Sequence, residues 1–213
     1  NPRDNITKTE IIYRYDALDL ADYSQSLTLK YDRAFTAAWG GNVEVPIVAF
    51  KGFGSSDLAL GDVQIRLRQS TKAGRGTVVL GAELVVPTAS EDTLGRGKVQ
   101  LKPAVGYVVP LADTGFLYMG YKHFLSIAGD DDRPDIDERQ LRLVLGHAAP
   151  EVRWLLGDAR YTTSWKITAE QLDLEVENGR MIAASTGAWL RRGTSTLGSH
   201  RDAMIPAGVR FIR

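Results

Sequence analysis

Cysteine is missing from the chain, which excludes disulfide scaffolds and metal sites built on thiolates. The absence also suits an exported protein that avoids stray thiols in an oxidising compartment. No apolar run approaches the roughly 18–20 residues that a transmembrane helix requires. That second absence does not exclude a membrane protein, because a membrane β-barrel crosses the bilayer with alternating segments of only about ten residues.

An excess of basic charge is also missing. The 213 residues carry 26 basic and 26 acidic side chains, which argues against a general nucleic-acid binder, and we expect no nucleic-acid partner. Helix signals are scarce as well. The stretch "ITAEQLDLEVENG" has helical propensity, but Leu172, Leu174 and Val176 alternate with acidic residues, and this period of two predicts a strand.

Alternation of apolar and polar residues dominates the rest of the chain. In "GDVQIRLRQSTKAG", Val63, Ile65 and Leu67 alternate with polar and charged side chains, as expected of a strand with two unlike faces. Twelve strand-like segments of this kind fill residues 1–213, which we interpret as one domain. They are "TEIIYRYDA", "SLTLKYDRAF", "NVEVPIVAF", "GDVQIRLRQ", "TVVLGAELVV", "KVQLKPAVGYVV", "GFLYMGYKHFL", "ERQLRLVLG", "EVRWLLGDARY", "WKITAEQLDLEVE", "RMIAASTGAWLRR" and "RDAMIPAGVRFIR".

The connections alternate in length. Short ones are "PLADTG", "HAAPE" and "ENGR", where Asn178-Gly179 is a strong two-residue hairpin signal. Longer, polar ones are "KGFGSSDLAL", "TASEDTLGRG", "AGDDDRPDID" and "RRGTSTLGSH"; the short "TTS" at Thr162–Ser164 does not fit. This alternation predicts an up-and-down barrel with one plain end, which holds both termini, and one elaborated end.

The size of the barrel indicates which face points inward. Twelve strands about 4.8 Å apart and tilted by about 40° close at a radius of about 12 Å, too wide for Leu and Val alone to fill. Apolar faces that point outward into lipid would leave a polar lumen, and closure would leave no unpaired strand edge in hydrocarbon. We therefore predict an all-β, membrane-spanning, twelve-stranded antiparallel barrel. A soluble, ligand-binding β-barrel is the alternative.

Aromatic residues lie mostly near segment ends, where membrane barrels carry interfacial girdles. We interpret the following as girdle residues, although ordinary strand composition would also account for them: Tyr13, Tyr15, Tyr31, Phe53, Tyr107, Phe116, Tyr161, Trp165, Trp189 and Phe211.

Turn signals between Leu58 and Leu111 resemble a known family. Gly61-Asp62 opens a strand, Val86-Pro87-Thr88 ends another, and Leu101–Gly106 with Pro110 follows a polar loop. This quarter of the chain resembles the outer-membrane channels associated with the meta-pathway of phenol degradation. The resemblance implies a twelve-stranded barrel with a narrow channel for small, often aromatic or hydrophobic molecules.

Alternation also assigns side chains to the lumen. If the leucine, isoleucine and valine faces point outward, the polar faces enclose a lumen of mixed charge with a basic excess. The predicted pore-lining residues are Arg14, Lys30, Gln64, Arg66, Arg68, Glu83, Lys98, Lys102, Arg142, Arg153, Asp173, Glu175 and Arg210. By the same rule, Glu44, Gln100 and Gln140 face inward.

Four of these basic residues are candidates for a constriction. We expect Arg66, Arg68, Lys102 and Arg142 to favour small anions such as aromatic carboxylates, since rings of Arg or Lys serve anion pores. The alternative is a salt-bridged network that only stiffens a plugged barrel.

Catalysis is the rival class of function, because a lipid-modifying barrel enzyme needs a nucleophile beside a histidine. His147 and His200 lie in predicted connections, which leaves His123, and no G-x-S-x-G motif accompanies it. The acidic run "DDDRPDID" does not fit a calcium loop, because Pro134 and Asp135 stand near the position that needs Gly. We expect no enzyme, no catalytic residues, no metal and no cofactor.

Partners and location follow from the membrane interpretation. We expect a monomer in the outer membrane of a Gram-negative bacterium, with lipid bilayer and lipopolysaccharide around it and a small-molecule permeant inside. The N-terminal stretch "NPRDNITKTE" lacks the apolar core of a signal peptide, so we expect that such a peptide has been removed.

Overall fold

A computed structural model describes residues 5–17, 23–51, 58–92, 94–111, 114–149, 153–166, 169–197 and 203–212. The strands are β1 Lys8–Ala17, β2 Tyr23–Ala34, β3 Trp39–Lys51, β4 Leu58–Leu60, β5 Val63–Ala73, β6 Gly76–Val86, β7 Lys98–Leu111, β8 Gly115–Gly129, β9 Asp137–Ala149, β10 Arg153–Ser164, β11 Ala169–Ala183, β12 Thr186–Leu197 and β13 Ala203–Ile212. None of these described residues forms a helix long and apolar enough to cross a membrane.

The sheet closes on itself. Apart from β4, which pairs only with β3, each strand pairs antiparallel with the strands before and after it, and β1 pairs with both β2 and β13, so that Lys8 lies opposite Ile212. The short β4 and the longer β5 both pair with β3, on either side of Gly61-Asp62, and they occupy one position in the wall. The prediction of a closed, twelve-stranded antiparallel barrel is confirmed.

The two ends of the barrel differ as the connection lengths predict. One end, which we call the plain end, holds the connections 35–38, 74–75 and 184–185, the start of β1 and the end of β13, and the strand ends Leu111, Gly115, Ala149 and Arg153. The other end, which we call the loop end, holds the connections 87–97 and 130–136 and the strand ends Ala17, Tyr23, Lys51, Leu58, Ser164, Ala169, Leu197 and Ala203. The short stretch Thr162–Ser164, which did not fit the alternation of connection lengths, is not a connection: it belongs to β10, and the connection follows it.

Two predictions near the C-terminal strands are wrong. Asn178-Gly179 is not a hairpin: it lies within β11, and the two-residue turn comes later, at Ala184-Ser185. Gly179 is needed for close packing, because a Cβ there would lie 2.0 Å from Cε2 of Trp154. The segment from Gly193 to Leu197, predicted as part of a loop, continues β12, and residues 198–200 lie outside the described residues.

Burial in this wall is inverted relative to a soluble barrel. Leu141 is 58% exposed and Leu145 56%, whereas Glu83 is 3% and Glu175 2% exposed. Carboxylates are rarely so buried in soluble proteins, and a leucine row so exposed would be an aggregation hazard in water. The apolar face points outward and the charged face inward, as the alternation predicts.

Aromatic residues only partly follow the predicted girdles. Tyr31 and Phe211, near the plain end, and Trp165, at the loop end, are exposed on the outer surface. Phe116 and Trp189 are buried inside the barrel instead, so their assignment to the girdles is wrong. Phe53 lies outside the described residues.

The inverted wall predicts how charge on its outer face affects stability. Leu143 lies at the middle of β9, so Leu143→Arg would place a guanidinium in mid-bilayer and lower the free energy of unfolding by about 2–4 kcal/mol. Denaturant titration of the protein folded into lipid vesicles measures this change. The matched control is Leu111→Arg, at the plain end of β7, where the expected change is about 0–1 kcal/mol. Equal costs at the two positions would contradict the inverted arrangement.

Candidate functional site in the barrel lumen

Inward-facing side chains of the twelve wall strands form the candidate site. Strand alternation and burial place most of the predicted residues on the inner face. These are Arg14, Lys30, Gln64, Arg66, Arg68, Glu83, Lys98, Lys102, Arg142, Asp173, Glu175 and Arg210.

Arg153 is the exception among the predicted residues. It lies opposite Arg180 at the start of β10 and is exposed on the outer face, while the next residue, Trp154, points inward. The indole Nε1 of Trp154 donates a hydrogen bond of 2.7 Å to Glu177. Because Trp154, Leu155 and Leu156 form an unbroken apolar run, alternation left the phase of this strand undetermined. The assignment of Arg153 to the lumen is therefore wrong.

One group of interior charges, the Glu83 cluster, joins β2, β3 and β5–β8. The Glu83 carboxylate forms ion pairs with Arg66, with Lys102 at 3.0 Å and with Lys122 at 3.2 Å. Arg66 also lies 3.9 Å from Glu44, which binds Lys30 at 2.7 Å. Two carboxylates thus serve four cations, and this part of the lumen carries a local basic excess.

A second group, the Glu175 cluster, joins β1 and β10–β12. Glu175 forms ion pairs with Arg160 at 2.5 Å and Arg191 at 2.8 Å, and Arg14 approaches it to 3.8 Å. Arg191 also binds Glu177 at 2.6 Å. The guanidinium groups reach this one carboxylate from β1, β10 and β12, so the cluster ties distant parts of the wall together.

Further pairs complete the charged lining. Arg142 binds Asp158 at 2.6 Å and Arg210 binds Glu10 at 2.5 Å. Arg68 donates a 2.8 Å hydrogen bond from Nε to Asn5. The four residues of the predicted basic constriction do not form one ring. Arg66 and Lys102 share Glu83 of β6, whereas Arg142 pairs with Asp158 of β10.

Several interior residues were missed by the sequence analysis. They are Lys8, Glu10, Asp16, Asp32, Lys122, Asp158, Arg160, Glu177 and Arg191. Alternation carries a signal for some of them, since Asp158 and Arg160 alternate with Ala159 and Tyr161. Their pairing depends on the register between strands, which alternation does not supply.

Apolar side chains narrow one side of the lumen toward the plain end. Val108, Phe116 and Val144 are buried together, and Tyr118 and Leu156 pack against them. Glycines make room for the two rings: a Cβ on Gly106 would lie 2.3 Å from the ring of Tyr118, and a Cβ on Gly146 would lie 2.2 Å from the ring of Phe116.

A cavity of about 470 Å³ lies at the loop end, where the connection 87–97 covers part of the mouth. Asp62 anchors this connection, because it accepts a 3.0 Å hydrogen bond from the backbone N–H of Arg96. The Arg96 side chain binds Glu138 on the wall at 2.9 Å. The cavity is therefore bounded by wall residues and by a connection that is fastened near its C-terminal end.

Ion pairs hold the acidic connection 130–136 in place. Lys98 lies 3.2 Å from Asp135, and this hydrogen-bonded contact lowers the pKa of Asp135 below its ordinary value. Arg133 lies 3.4 Å from Asp92 in the neighbouring connection. Across the described residues, no group of His, Asp and Glu side chains is arranged to hold a metal ion.

Histidine positions bear on the rival enzymatic function. By strand parity His123 lies on the outer face, where its ring contacts Asp137 at 2.7 Å. His147 contacts the hydroxyl of Thr114 at 3.2 Å, and His200 lies outside the described residues. Neither described histidine reaches into the lumen, where a permeating molecule would pass.

Comparison with known proteins identifies the fold. No protein-family model matches the chain, and no curated protein matches it. Among solved structures, the KdgM porin has a TM-score of 0.70 at 11% identity, covering 95% of this chain and 98% of that one. The NanC porin has a TM-score of 0.72 at 10% identity, covering 96% and 98%. The β-domain of the Bordetella autotransporter Brka has a TM-score of 0.54 at 13% identity, covering 97% and 98%.

The Glu175 cluster predicts a large effect of neutralising its central carboxylate. Glu175→Gln leaves Arg14, Arg160 and Arg191 without that partner and should lower the free energy of unfolding by about 3–5 kcal/mol. Denaturant titration in lipid vesicles measures it. The control is Glu170→Gln, an exposed acid on the same strand, with an expected change within about 0.5 kcal/mol. If both variants lose the same stability, the buried cluster does not hold the wall together.

Proposed function

We propose that this chain is a passive channel in a bacterial outer membrane that lets small solutes cross through a narrow, charged lumen. The observation that carries the proposal is the inverted burial: Glu83 and Glu175 are almost fully enclosed, while Leu141 and Leu145 cover the outside. A wall with these faces is stable only when hydrocarbon surrounds it and polar groups are satisfied within it.

The orientation follows from the unequal ends. Outer-membrane barrels place short turns in the periplasm and longer loops outside the cell. The plain end, with both termini, would therefore face the periplasm, and the loop end, with the connection 87–97 over its mouth, would face the exterior. A solute from outside would meet the 470 Å³ cavity first and the Glu83 cluster next.

The shared fold of the KdgM and NanC porins supports this function without naming a solute, and low identity limits that support to the architecture. An aromatic or hydrophobic permeant, as the resemblance to the phenol-pathway channels implies, stays a prediction. So do the monomeric state and the contact with lipopolysaccharide. A soluble ligand-binding barrel is disfavoured because its apolar face would be in water. A lipid-modifying enzyme is disfavoured because no G-x-S-x-G motif accompanies His123 in the sequence.

Selectivity should follow the charge balance of the lumen. Most interior bases have a carboxylate partner, so a moderate anion preference would come from the excess at the Glu83 cluster. This revises the predicted constriction: Arg66 and Lys102 contribute to it, whereas the charge of Arg142 is balanced by Asp158.

Reconstitution in planar bilayers tests the channel. We expect discrete conductance steps and a reversal potential in a KCl gradient that indicates anion preference. Glu83→Gln releases three cations and should raise the chloride-to-potassium permeability ratio by up to about thirtyfold, since one charge at about 4 Å changes the energies of the two ions by about 1 kcal/mol each, in opposite directions, in water. Arg66→Gln should shift the ratio the other way.

Arg153→Gln is the matched control for these variants, since it removes a cation from the outer face and should leave the reversal potential unchanged. A bilayer that stays silent under all voltages would contradict the channel. If the protein conducts and its reversal potential is the same in Glu83→Gln as in the unaltered chain, the ion path avoids this cluster.

A further inference from the structure

The cavity at the loop end has the size and lining of a small-molecule site. Its volume of about 470 Å³ falls within the range of about 300–1,000 Å³ typical of ligand pockets. Its walls combine the amides of Gln64 and Gln100 with the ammonium of Lys102, and Phe124, Val85 and Leu94 supply apolar surface. A ligand that fits such walls has one charged or polar end and one apolar body.

The charge beside the cavity is positive. Lys102 lines it, and Lys102, Lys122 and Arg66 all converge on the single carboxylate of Glu83. Two further acids line the cavity: Asp62 accepts a 3.0 Å hydrogen bond from the backbone N–H of Arg96, and Glu138 is bound by the Arg96 side chain at 2.9 Å. A carboxylate that entered the cavity would therefore approach a group of cations that one glutamate only partly balances.

Phe124 provides the apolar partner at the same place. Lys102 Nζ lies 5.1 Å and Lys122 Nζ 5.7 Å from the centroid of the Phe124 ring. A flat ring can stack against Phe124 in an offset arrangement while its acidic substituent points to the ammonium groups. Neither feature alone would select such a ligand, but here they adjoin one cavity.

We propose that the cavity beneath the connection 87–97 binds a small carboxylate that carries an apolar ring. Lys102 receives the carboxylate, Phe124 receives the ring, and Gln64 and Gln100 donate hydrogen bonds to the acid or to ring substituents. The site deepens the proposed channel function, on which it rests, because it lies where a solute would enter the lumen from the loop end.

Benzoate is the probe for this site. Isothermal titration calorimetry on the full chain in detergent measures binding without conduction, and benzoate block of chloride current in planar bilayers measures it during conduction. Lys102→Gln and Phe124→Leu should each weaken benzoate binding about tenfold in both assays. Acetate, which has the charge without the ring, should bind at least tenfold more weakly than benzoate, and Phe124→Leu should leave its binding unchanged.

Lys166→Gln is the matched control, because Lys166 lies exposed in the connection 165–168 at the same end of the barrel. It should bind benzoate as the unaltered chain does. Equal loss in Lys166→Gln and Lys102→Gln would overturn the site in favour of general rim charge, and equal binding of acetate and benzoate would overturn the role of Phe124.

The two assays separate this inference from the channel itself. Calorimetric binding that Lys102→Gln weakens about tenfold, in a protein that carries no current, would support the site and contradict the channel. Chloride conductance without measurable benzoate binding or block would support the channel and overturn the site. Correct folding of each variant is verified by its circular dichroism and its heat-modifiable mobility on gels.

Discussion

Charge enclosed inside a wall that faces hydrocarbon is the constraint on which this structure depends. An ionised carboxylate away from water costs several kcal/mol unless cations and hydrogen bonds compensate it. Glu83 satisfies that requirement with cations of β5, β7 and β8, and Glu175 does so with cations of β1, β10 and β12. The backbone faces the same requirement, and closure of β1 against β13 satisfies it by leaving no free edge.

These ion pairs also shape the passage. A lumen filled by apolar side chains would not admit polar solutes, and a lumen of uncompensated arginines would be unstable. Paired charges keep the interior polar and rigid, while the excess of cations at the Glu83 cluster makes that part of the lumen positively charged. The same cluster adjoins the cavity at the loop end, so selectivity and solute entry in the proposed channel would depend on one group of side chains.

Close approach of aromatic rings to the backbone explains several glycines. Trp154 lies over Gly179 and donates its N–H to Glu177, which binds Arg191 in turn. The Asn178-Gly179 pair therefore has a packing role, and its resemblance to a hairpin signal is misleading. Because β11 continues past this pair, its hairpin turn lies at Ala184-Ser185, near the plain end.

The sequence by itself determined the strand count, the alternation of short and long connections, and the face of most inward residues, because a period of two in hydrophobicity assigns both strand and side. It did not determine the phase of β10, where Trp154, Leu155 and Leu156 are all apolar, and so it misplaced Arg153. Only the tertiary structure decided which charges meet. Arg14 of β1 reaches Glu175 of β11 because closure and strand register bring them together, and neither property is written in any single strand.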